Sequence, residues 1–155
     1  MKMLRYGLTG LVVVLIVAAL AAPLGPVPGF WIRGASTDVP DAWGNTRSIH
    51  EIRLQVGDGP IGRTVIIWMV QYEGDLHVMG DGTSGWTRGI GRGGLVRVAM
   101  EGRLYHLNAS RLEAPDKEAV IGAWIEKYRA DYPDIVSDVS AGAREGSAVF
   151  RLVAR

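Results

Sequence analysis

The chain has 155 residues, a length typical of one domain. Its 17 Lys and Arg residues nearly balance its 16 Asp and Glu residues, so it lacks the strongly basic surface on which nucleic-acid binding depends. It contains no cysteine, which excludes disulfide bonds, thiolate metal ligands and a cysteine nucleophile. We therefore expect a single-domain protein that binds no nucleic acid.

The N-terminal part of the chain is strongly hydrophobic. No charged residue occurs from residue 6 to residue 32, and residues 8–22 are almost wholly aliphatic. A helix over this stretch, ended by the prolines that begin at Pro23, would be about 28 Å long, which is close to the thickness of the bilayer core. The pattern predicts a single transmembrane helix within an N-terminal membrane anchor of residues 1–32.

The charges before this stretch predict its orientation. Lys2 and Arg5 precede the apolar residues. Because positive flanks stay in the cytoplasm, we expect the domain to lie on the extracytoplasmic side. A cleaved signal peptide is the alternative, since Ala19 and Ala21 form an A-x-A cleavage pattern.

The first strands of the domain follow a short linker. Residues 33–46 are rich in Gly, Pro, Asp and Ser and predict the linker, and residues 47–155 should form the domain. Residues 49–56 alternate apolar and polar side chains, which is typical of a half-buried strand. Residues 64–72 form a continuous β-branched and aromatic run, which predicts a central strand covered on both faces. A turn then leads into a strand over residues 76–79.

The remaining elements suggest how the sheet closes. Strands are predicted over residues 95–100, 103–112 and 147–153. Between the last two, Pro115 and the acidic residues after it begin a helix that Pro133 ends. About six strands with one helix near the C-terminus predict a mainly β (α+β) fold. The sheet should form a closed or nearly closed barrel, because closure removes exposed strand edges.

Histidines and common catalytic motifs give little support for an enzyme site. His50, His77 and His106 lie on three separate predicted strands, with no H-x-H or H-x-x-x-H pair between them. We therefore expect no metal site. The nucleophile elbow and the Walker phosphate loop are both absent from the sequence, so no catalytic residue is assigned.

The glycine-rich stretch is the most informative part of the sequence. Residues 80–94 contain seven glycines, which let a backbone approach a ligand closely. Thr83 and Ser84 supply hydroxyl groups, Arg88 supplies a guanidinium suited to phosphate, and Trp86 has a face for a planar ring. The stretch predicts a cradle for a phosphate-bearing ligand. A solvated hairpin loop with no ligand is the alternative interpretation.

The order of these elements resembles the split β-barrel superfamily, which includes pyridoxamine-phosphate-oxidase-like flavin proteins and deazaflavin-dependent nitroreductase-like proteins. The resemblance covers roughly residues 49–132. It rests on V-I-I-W-M-V, E-G-D-L-H-V, G-T-S-G-W-T-R, L-V-R-V-A-M-E-G-R-L-Y-H-L-N-A-S-R-L-E and A-P-D-K-E-A-V. It implies a split β-barrel, a bound FMN or deazaflavin, and a homodimer. It also implies that Thr83, Ser84, Trp86 and Arg88 contact the cofactor.

The resemblance and the anchor together lead to two hypotheses. The first is a membrane-tethered flavin- or deazaflavin-binding oxidoreductase that acts on a small or lipid-soluble acceptor. The second is a non-catalytic envelope module that binds a ligand or a partner and has lost its cofactor. Two departures favour the second: Arg92-Gly93-Gly94 replaces the Asn-Pro pair usual in such families, and the domain is predicted to be exported.

Overall fold

A computed structural model of the chain describes residues 29–59 and 62–155. Seven strands and three helices are assigned within these residues. They are β1 (Ala35–Ser36), β2 (Glu51–Val56), β3 (Thr64–Tyr72), β4 (Asp75–Asp81), α1 (Gly85–Ile90), β5 (Gly93–Met100), β6 (Arg103–Arg111), α2 (Asp116–Tyr128), α3 (Pro133–Gly146) and β7 (Ser147–Ala154).

Among the described residues, β2 to β7 form a closed antiparallel barrel of six strands. The strands follow the order β6-β5-β2-β3-β4-β7, and β6 also pairs with β7. The closure is seen at Leu152 of β7, which lies opposite Leu76 of β4 on one side and Ala109 of β6 on the other. The mainly β, closed barrel that the sequence predicts is thus confirmed.

Every second side chain of the strands points into the barrel and helps to fill its interior. On β2, Ile52 and Leu54 point inward and are buried, while Glu51 and Arg53 are exposed. The same alternation on the other strands gives one apolar cluster inside the barrel. Its buried members are Ile52, Leu54, Met69, Leu76, Val78, Trp86, Ile90, Val96, Val98, Met100, Tyr105, Leu107, Ala109, Ala148, Phe150 and Leu152.

Helix α1 packs into the barrel core. Trp86 is only 7% exposed, and its ring centroid lies 5.7 Å from that of Phe150. The neighbouring strand must carry a glycine, because a Cβ at Gly80 would collide with the Trp86 indole. Ile90 is buried beside it in the same cluster. The glycine-rich stretch therefore contributes a helix that the sequence analysis did not predict.

A second apolar layer covers the outside of β3. Helix α2 buries Trp124 and Tyr128 against the outward-facing Trp68. The Trp68 ring stacks on both, with centroid distances of 5.6 Å to Trp124 and 4.6 Å to Tyr128. Val136 of α3 belongs to the same cluster. Strand β3 is therefore covered on both faces, as its continuous apolar sequence predicts.

Residues 29–37, which we call the strap, run along the outside of the barrel. Gly29 exchanges two hydrogen bonds of 2.8 Å with Thr64 at the start of β3. Further along, Ala35 pairs in parallel with Arg103 of β6. The predicted linker of residues 33–46 thus contributes β1, and its Trp43 packs edge-on against Tyr105 with ring centroids 5.0 Å apart.

The helices differ from the sequence prediction. One helix was expected near the C-terminus, whereas the described chain also contains α1 and a second C-terminal helix, α3. Pro133 begins α3 instead of only ending α2, because proline is well tolerated in the first turn, where its missing N–H would have no partner.

The predicted anchor of residues 1–32 falls mostly on residues 1–28, which lie outside the described residues. Of the helices in the described part of the chain, none combines the length and the hydrophobicity that a bilayer-spanning segment needs.

The packing of Trp86 leads to a stability prediction. Trp86→Ala should lower the free energy of unfolding by about 3–5 kcal/mol, because it leaves a cavity in the barrel core. Trp31→Ala is the matched control, since Trp31 is 46% exposed, and it should change stability by less than about 0.5 kcal/mol. Chemical denaturation followed by circular dichroism measures both. Equal effects of the two substitutions would contradict the core position of Trp86.

Candidate functional site

A groove of ≈ 500 Å³ lies on the outside of the barrel, between β3, β4 and the two C-terminal helices. Its lining is mostly apolar and includes two tryptophans. The lining residues are Ile66, Ile67, Trp68, Met79, Gly80, Asp81, Trp124, Ile135, Val139, Gly146 and Ser147. We call this feature the groove. Its size and apolar walls are those of a small-molecule site.

Local sequence explains the walls of the groove. The odd-numbered Val65 and Ile67 of β3 pack towards the barrel core, so the alternating positions Ile66 and Trp68 face outward. Helix α2 brings Trp124 to the Trp68 indole, and the two rings stack with an interplanar angle of 27°. Ile135 of α3 remains 47% exposed at the edge of the groove.

Two side chains pin the C-terminal end of α2 against the backbone of β3 and of the residues before β2. The Tyr128 hydroxyl donates to the carbonyl oxygens of Met69 at 2.6 Å and His50 at 2.8 Å. Lys127 Nζ donates to the Met69 carbonyl at 2.9 Å and to the Ile49 carbonyl at 2.7 Å. Burial, with a smaller contribution from Arg47, lowers the pKa of Lys127 to about 8. These contacts hold the Trp124 wall in place.

The rim of the groove is the start of the glycine-rich stretch. Gly80 and Asp81 line the groove, and the next residues form a tight loop. The Asp81 carboxylate accepts hydrogen bonds of 2.6 Å from both the backbone N–H and the hydroxyl of Thr83. These two bonds lower the pKa of Asp81. The loop therefore carries a fixed negative charge at the rim.

The other hydroxyl groups of the loop also bond within it. Ser84 caps α1, because its Oγ accepts from the Thr87 backbone N–H at 3.5 Å. The Thr87 hydroxyl is buried and lies 2.8 Å from the Asp81 carbonyl oxygen. Thr83 and Ser84 thus stand together at the rim and shape the loop.

The remaining two candidate residues lie on α1 and point in different directions. Trp86 packs inside the barrel, whereas Arg88 is exposed to solvent. The structure therefore separates the buried Trp86 from the exposed Arg88, and these two candidates do not share a surface. Cofactor contact by these four residues remains a prediction.

Two arginines near the loop were missed by the sequence analysis. A Cβ added at Gly85 would lie 2.8 Å from Cζ of Arg63, so this guanidinium lies directly against the first turn of α1. A terminal nitrogen of Arg111 would lie 3.8 Å from a Cβ at Gly82. The antiparallel pairing of β3 with β4 brings Arg63 to the loop, whereas Arg111 reaches it because β7 closes the barrel between β4 and β6.

The three histidines do not converge. His77 is buried and bonds the Asp75 carbonyl at 3.2 Å, while His50 lies 3.3 Å from the Tyr132 hydroxyl. His106 pairs with Asp58 at 2.8 Å on another face. Among the described residues, no three His, Cys, Asp or Glu side chains are placed to hold a metal ion.

The groove offers binding surfaces rather than acid–base groups. Among the lining side chains that the structure describes, only Asp81 ionises, and that carboxylate already accepts two bonds from Thr83. A planar ring fits the indole and aliphatic walls. A heme would need an axial ligand, and among the described residues that line the groove only Met79 is of a kind that commonly ligates heme iron.

Comparisons with known proteins define the class of fold. No protein family and no curated protein matches the sequence. Solved structures do match the fold, which is that of a mainly β, closed six-stranded barrel with helices.

Three of these structures show the extent of the similarity. A conserved hypothetical protein, Rv2991 from Mycobacterium tuberculosis, is 16% identical with a TM-score of 0.53, and the match covers 77% of this chain and 86% of Rv2991. ChuZ from Campylobacter jejuni is 10% identical with a TM-score of 0.54, covering 71% of this chain and 50% of ChuZ. HutZ, the heme storage protein from Vibrio cholerae, is 16% identical with a TM-score of 0.50, covering 70% and 84%. At these identities the similarity establishes the fold.

The buried His77 leads to a pH prediction. Burial is the main cause that lowers the pKa of His77 below 6.5, so the unfolded chain binds a proton more readily than the folded chain. Stability should therefore fall as the pH drops below about 6.5. His77→Gln should make this dependence shallower in melting curves recorded across that range. Parallel curves for the two proteins would show that His77 does not titrate on unfolding.

Proposed function

We propose that this chain is a membrane-tethered barrel protein that binds FMN or a deazaflavin in the groove and acts as an oxidoreductase on a small or lipid-soluble acceptor. One observation carries the proposal. An apolar groove walled by Trp68 and Trp124 ends at a glycine-rich loop flanked by arginines. This arrangement pairs a surface for a planar ring with donors for a phosphate.

The two ends of the site have different tasks in this proposal. The ring lies along the groove, where Met79 and Ile135 exclude water and the tryptophans offer flat apolar surface. The phosphate lies on the outer side of the loop, where the Arg88 guanidinium donates paired hydrogen bonds. Thr83 fixes the loop through its two hydrogen bonds to Asp81.

The cofactor supplies the hydride chemistry when it is bound. The chain's own residues bind and orient it, since the described part of the groove lining contains no histidine or lysine. The acceptor would approach past the exposed Ile135, which makes an apolar acceptor the better fit.

The tether is the part of the proposal that rests on sequence alone. The absence of charge from residue 6 to residue 32 supports a transmembrane segment that carries the barrel on the extracytoplasmic side. A lipid-soluble acceptor would then be within reach of the groove.

A non-catalytic ligand-binding module is the second candidate. The Asp81 carboxylate at the rim opposes a phosphate, and Trp86 is committed to the core, so the loop lacks two features of a phosphate and ring cradle. The similarity to HutZ makes heme the other planar ligand to test, with Met79 as the lining residue able to ligate iron.

A binding experiment on the full chain in detergent tests the proposal. Titration with FMN, a deazaflavin and heme, followed by absorbance and tryptophan quenching, should show binding of a flavin-type ligand. Ile135→Glu should weaken it about tenfold or more, because a charge enters the apolar groove. Leu95→Glu is the matched control, because Leu95 is similarly exposed, 44% against 47%, but lies outside the groove.

The outcomes of this titration separate the candidates. Binding of heme alone would favour the second candidate. No binding of any of the three ligands would refute cofactor binding, and equal loss in both glutamate variants would place the ligand elsewhere.

Arg88 allows a separate test of the phosphate end. Arg88→Ala should weaken FMN binding by about 1.5–3 kcal/mol, or about 10- to 150-fold, by removing charge-assisted hydrogen bonds. Arg88→Lys should restore only part of the affinity, because a point charge cannot reproduce the fork. Arg103→Ala, at the start of β6, is the control and should bind normally. Full affinity in Arg88→Ala would remove this residue from the site.

A further inference from the structure

We infer that residues 25–28 of this chain add as a strand to the open side of β3 and occupy the groove, so that a ligand enters only by displacing them. These residues read Gly-Pro-Val-Pro and immediately precede the described residue Gly29. The strand addition rests on neither the cofactor nor the tether, because the predicted cleavage pattern ends before them, at Ala21. Only the competition with a ligand rests on the proposed function.

Strand β3 has a side that β4 leaves unpaired along the groove. The two strands pair from the turn between them as far as Met69 and Val78, and they then separate. Residues 64–68 of β3 pair with β2 on the other side. On the side of the groove, the bridge to Gly29 is their only pairing within the described part of the chain. An open strand edge of this kind is a template for a further strand.

The bridge at Gly29 determines the direction and the register of such a strand. Gly29 and Thr64 exchange both backbone hydrogen bonds at 2.8 Å, and the bridge is antiparallel. The residues before Gly29 therefore run along β3 towards its C-terminal end. Backbone groups that point to the same side recur at every second residue, so the next positions of β3 able to pair on this side are Ile66 and Trp68.

The two prolines of the segment fit this register. Counting back from Gly29 places Val27 opposite Ile66 and Gly25 opposite Trp68, and both of these residues have the N–H group that the pairing requires. The prolines take the intervening positions, where an N–H would point away from β3, so their missing donor costs no bond to that strand. A shift by one residue would instead turn both prolines towards β3.

The segment is held extended before it docks. Each proline fixes its own φ and disfavours the helical conformation in the residue before it, here Gly25 and Val27. The end that joins the strap is also fixed, because the Phe30 carbonyl accepts a 2.7 Å bond from Nε2 of the buried Gln55. Little conformational freedom is therefore lost on docking.

The walls of the groove match the segment in chemistry. The segment carries no charge, and the groove is lined mostly by apolar side chains. Because opposite residues share a face of the sheet, Val27 lies beside the outward-facing Ile66, and the glycine of the segment leaves room for the Trp68 indole. Met79 and Gly80 of β4 form the opposite wall. A strand in this position covers apolar surface on both sides.

The chain's own segment is favoured over that of a second copy. Four extended residues span about 13 Å, which is also the rise along β3 from Thr64 to Trp68. The segment thus reaches the whole open edge from its bonded end at Gly29, without any exchange between chains. Its covalent attachment there gives it a high effective concentration at the edge.

Disulfide cross-linking tests the register on the full chain in detergent, since the chain has no cysteine of its own. Val27→Cys with Ile66→Cys places two thiols directly opposite each other, within the range of a disulfide bond. Mild oxidation should link them within one chain, as detected by mass spectrometry of the joined peptides. Pro28→Cys with Ile66→Cys is the matched control and should link about tenfold more slowly or less, because position 28 faces the other side of the sheet.

Hydrogen exchange tests the same pairing without added cysteines, and it covers the case in which the double variants do not fold. Val27→Pro removes one donor and sets a proline ring against the Ile66 carbonyl. It should speed exchange of the Ile66 and Trp68 amides about tenfold or more. Pro28→Ala is the control, because the N–H that it adds points away from β3, and these two amides should exchange as in the unchanged chain.

Two results would overturn the strand addition. Equal linking of the two cysteine pairs, or amide exchange that ignores Val27→Pro, would show that the segment does not pair with β3. A mixture of chains carrying only Val27→Cys and chains carrying only Ile66→Cys checks the occupant. Links between these chains at the rate of the internal link would assign the edge to a second copy.

The cross-linked chain also tests the competition. FMN and a deazaflavin should bind the oxidised Val27→Cys, Ile66→Cys chain about tenfold or more weakly than the same chain after reduction. Equal binding in both states would refute the competition. Absence of binding in both states would refute the competition and the proposed cofactor together, while the strand addition would still be decided by cross-linking and exchange.

Discussion

The double pairing of β7 determines the rest of this structure. Val78 and Arg111 both lie opposite Phe150, so one strand closes the sheet between β4 and β6. Because β7 follows β6 only after a long connection, α2 and α3 must cross the outer face of the barrel to bring it back. The groove exists because these helices cover β3 while leaving the ends of β3 and β4 partly open.

Hydrogen bonds to backbone carbonyls hold the outer layer on the barrel. Tyr128 and Lys127 donate to the Met69 carbonyl from α2, and Gln55 donates to the Phe30 carbonyl of the strap. Burial of the Tyr128 hydroxyl raises its pKa, so it stays protonated and remains a donor. These bonds cross between elements that are far apart in sequence. The groove wall and the strap are consequently tied to the sheet.

The sequence predicted the barrel well and its outer surface poorly. Alternation at Ile52 and Leu54 and the continuous apolar run of β3 are local signals, so the strands could be found without the fold. The closed barrel follows from having about six strands and little helix. The groove, in contrast, depends on Trp68 meeting Trp124 across 56 positions, and no local pattern reports such a pairing. Helix α3 was missed because its sequence is polar and begins with Pro133.

The glycine-rich stretch shows why composition alone left two interpretations open. Two of its glycines are required by packing: Gly80 lies against the Trp86 indole and Gly93 against the Ala109 carbonyl. A ligand that approaches the backbone closely would also leave no room for a side chain. Core packing and ligand binding therefore both favour a glycine-rich sequence, and composition cannot distinguish them.

In the structure, core packing and the groove lie on opposite sides of the end of β4. The indole occupies the inner side of the β4 end, whereas the groove lies on its outer side, at Gly80 and Asp81. One short segment therefore seals the core with one face and borders a ligand-sized groove with the other. A residue with a side chain at position 80 would displace the indole first, and the outer rim would move with it. The stability of the barrel and the shape of the groove are thus coupled at this glycine.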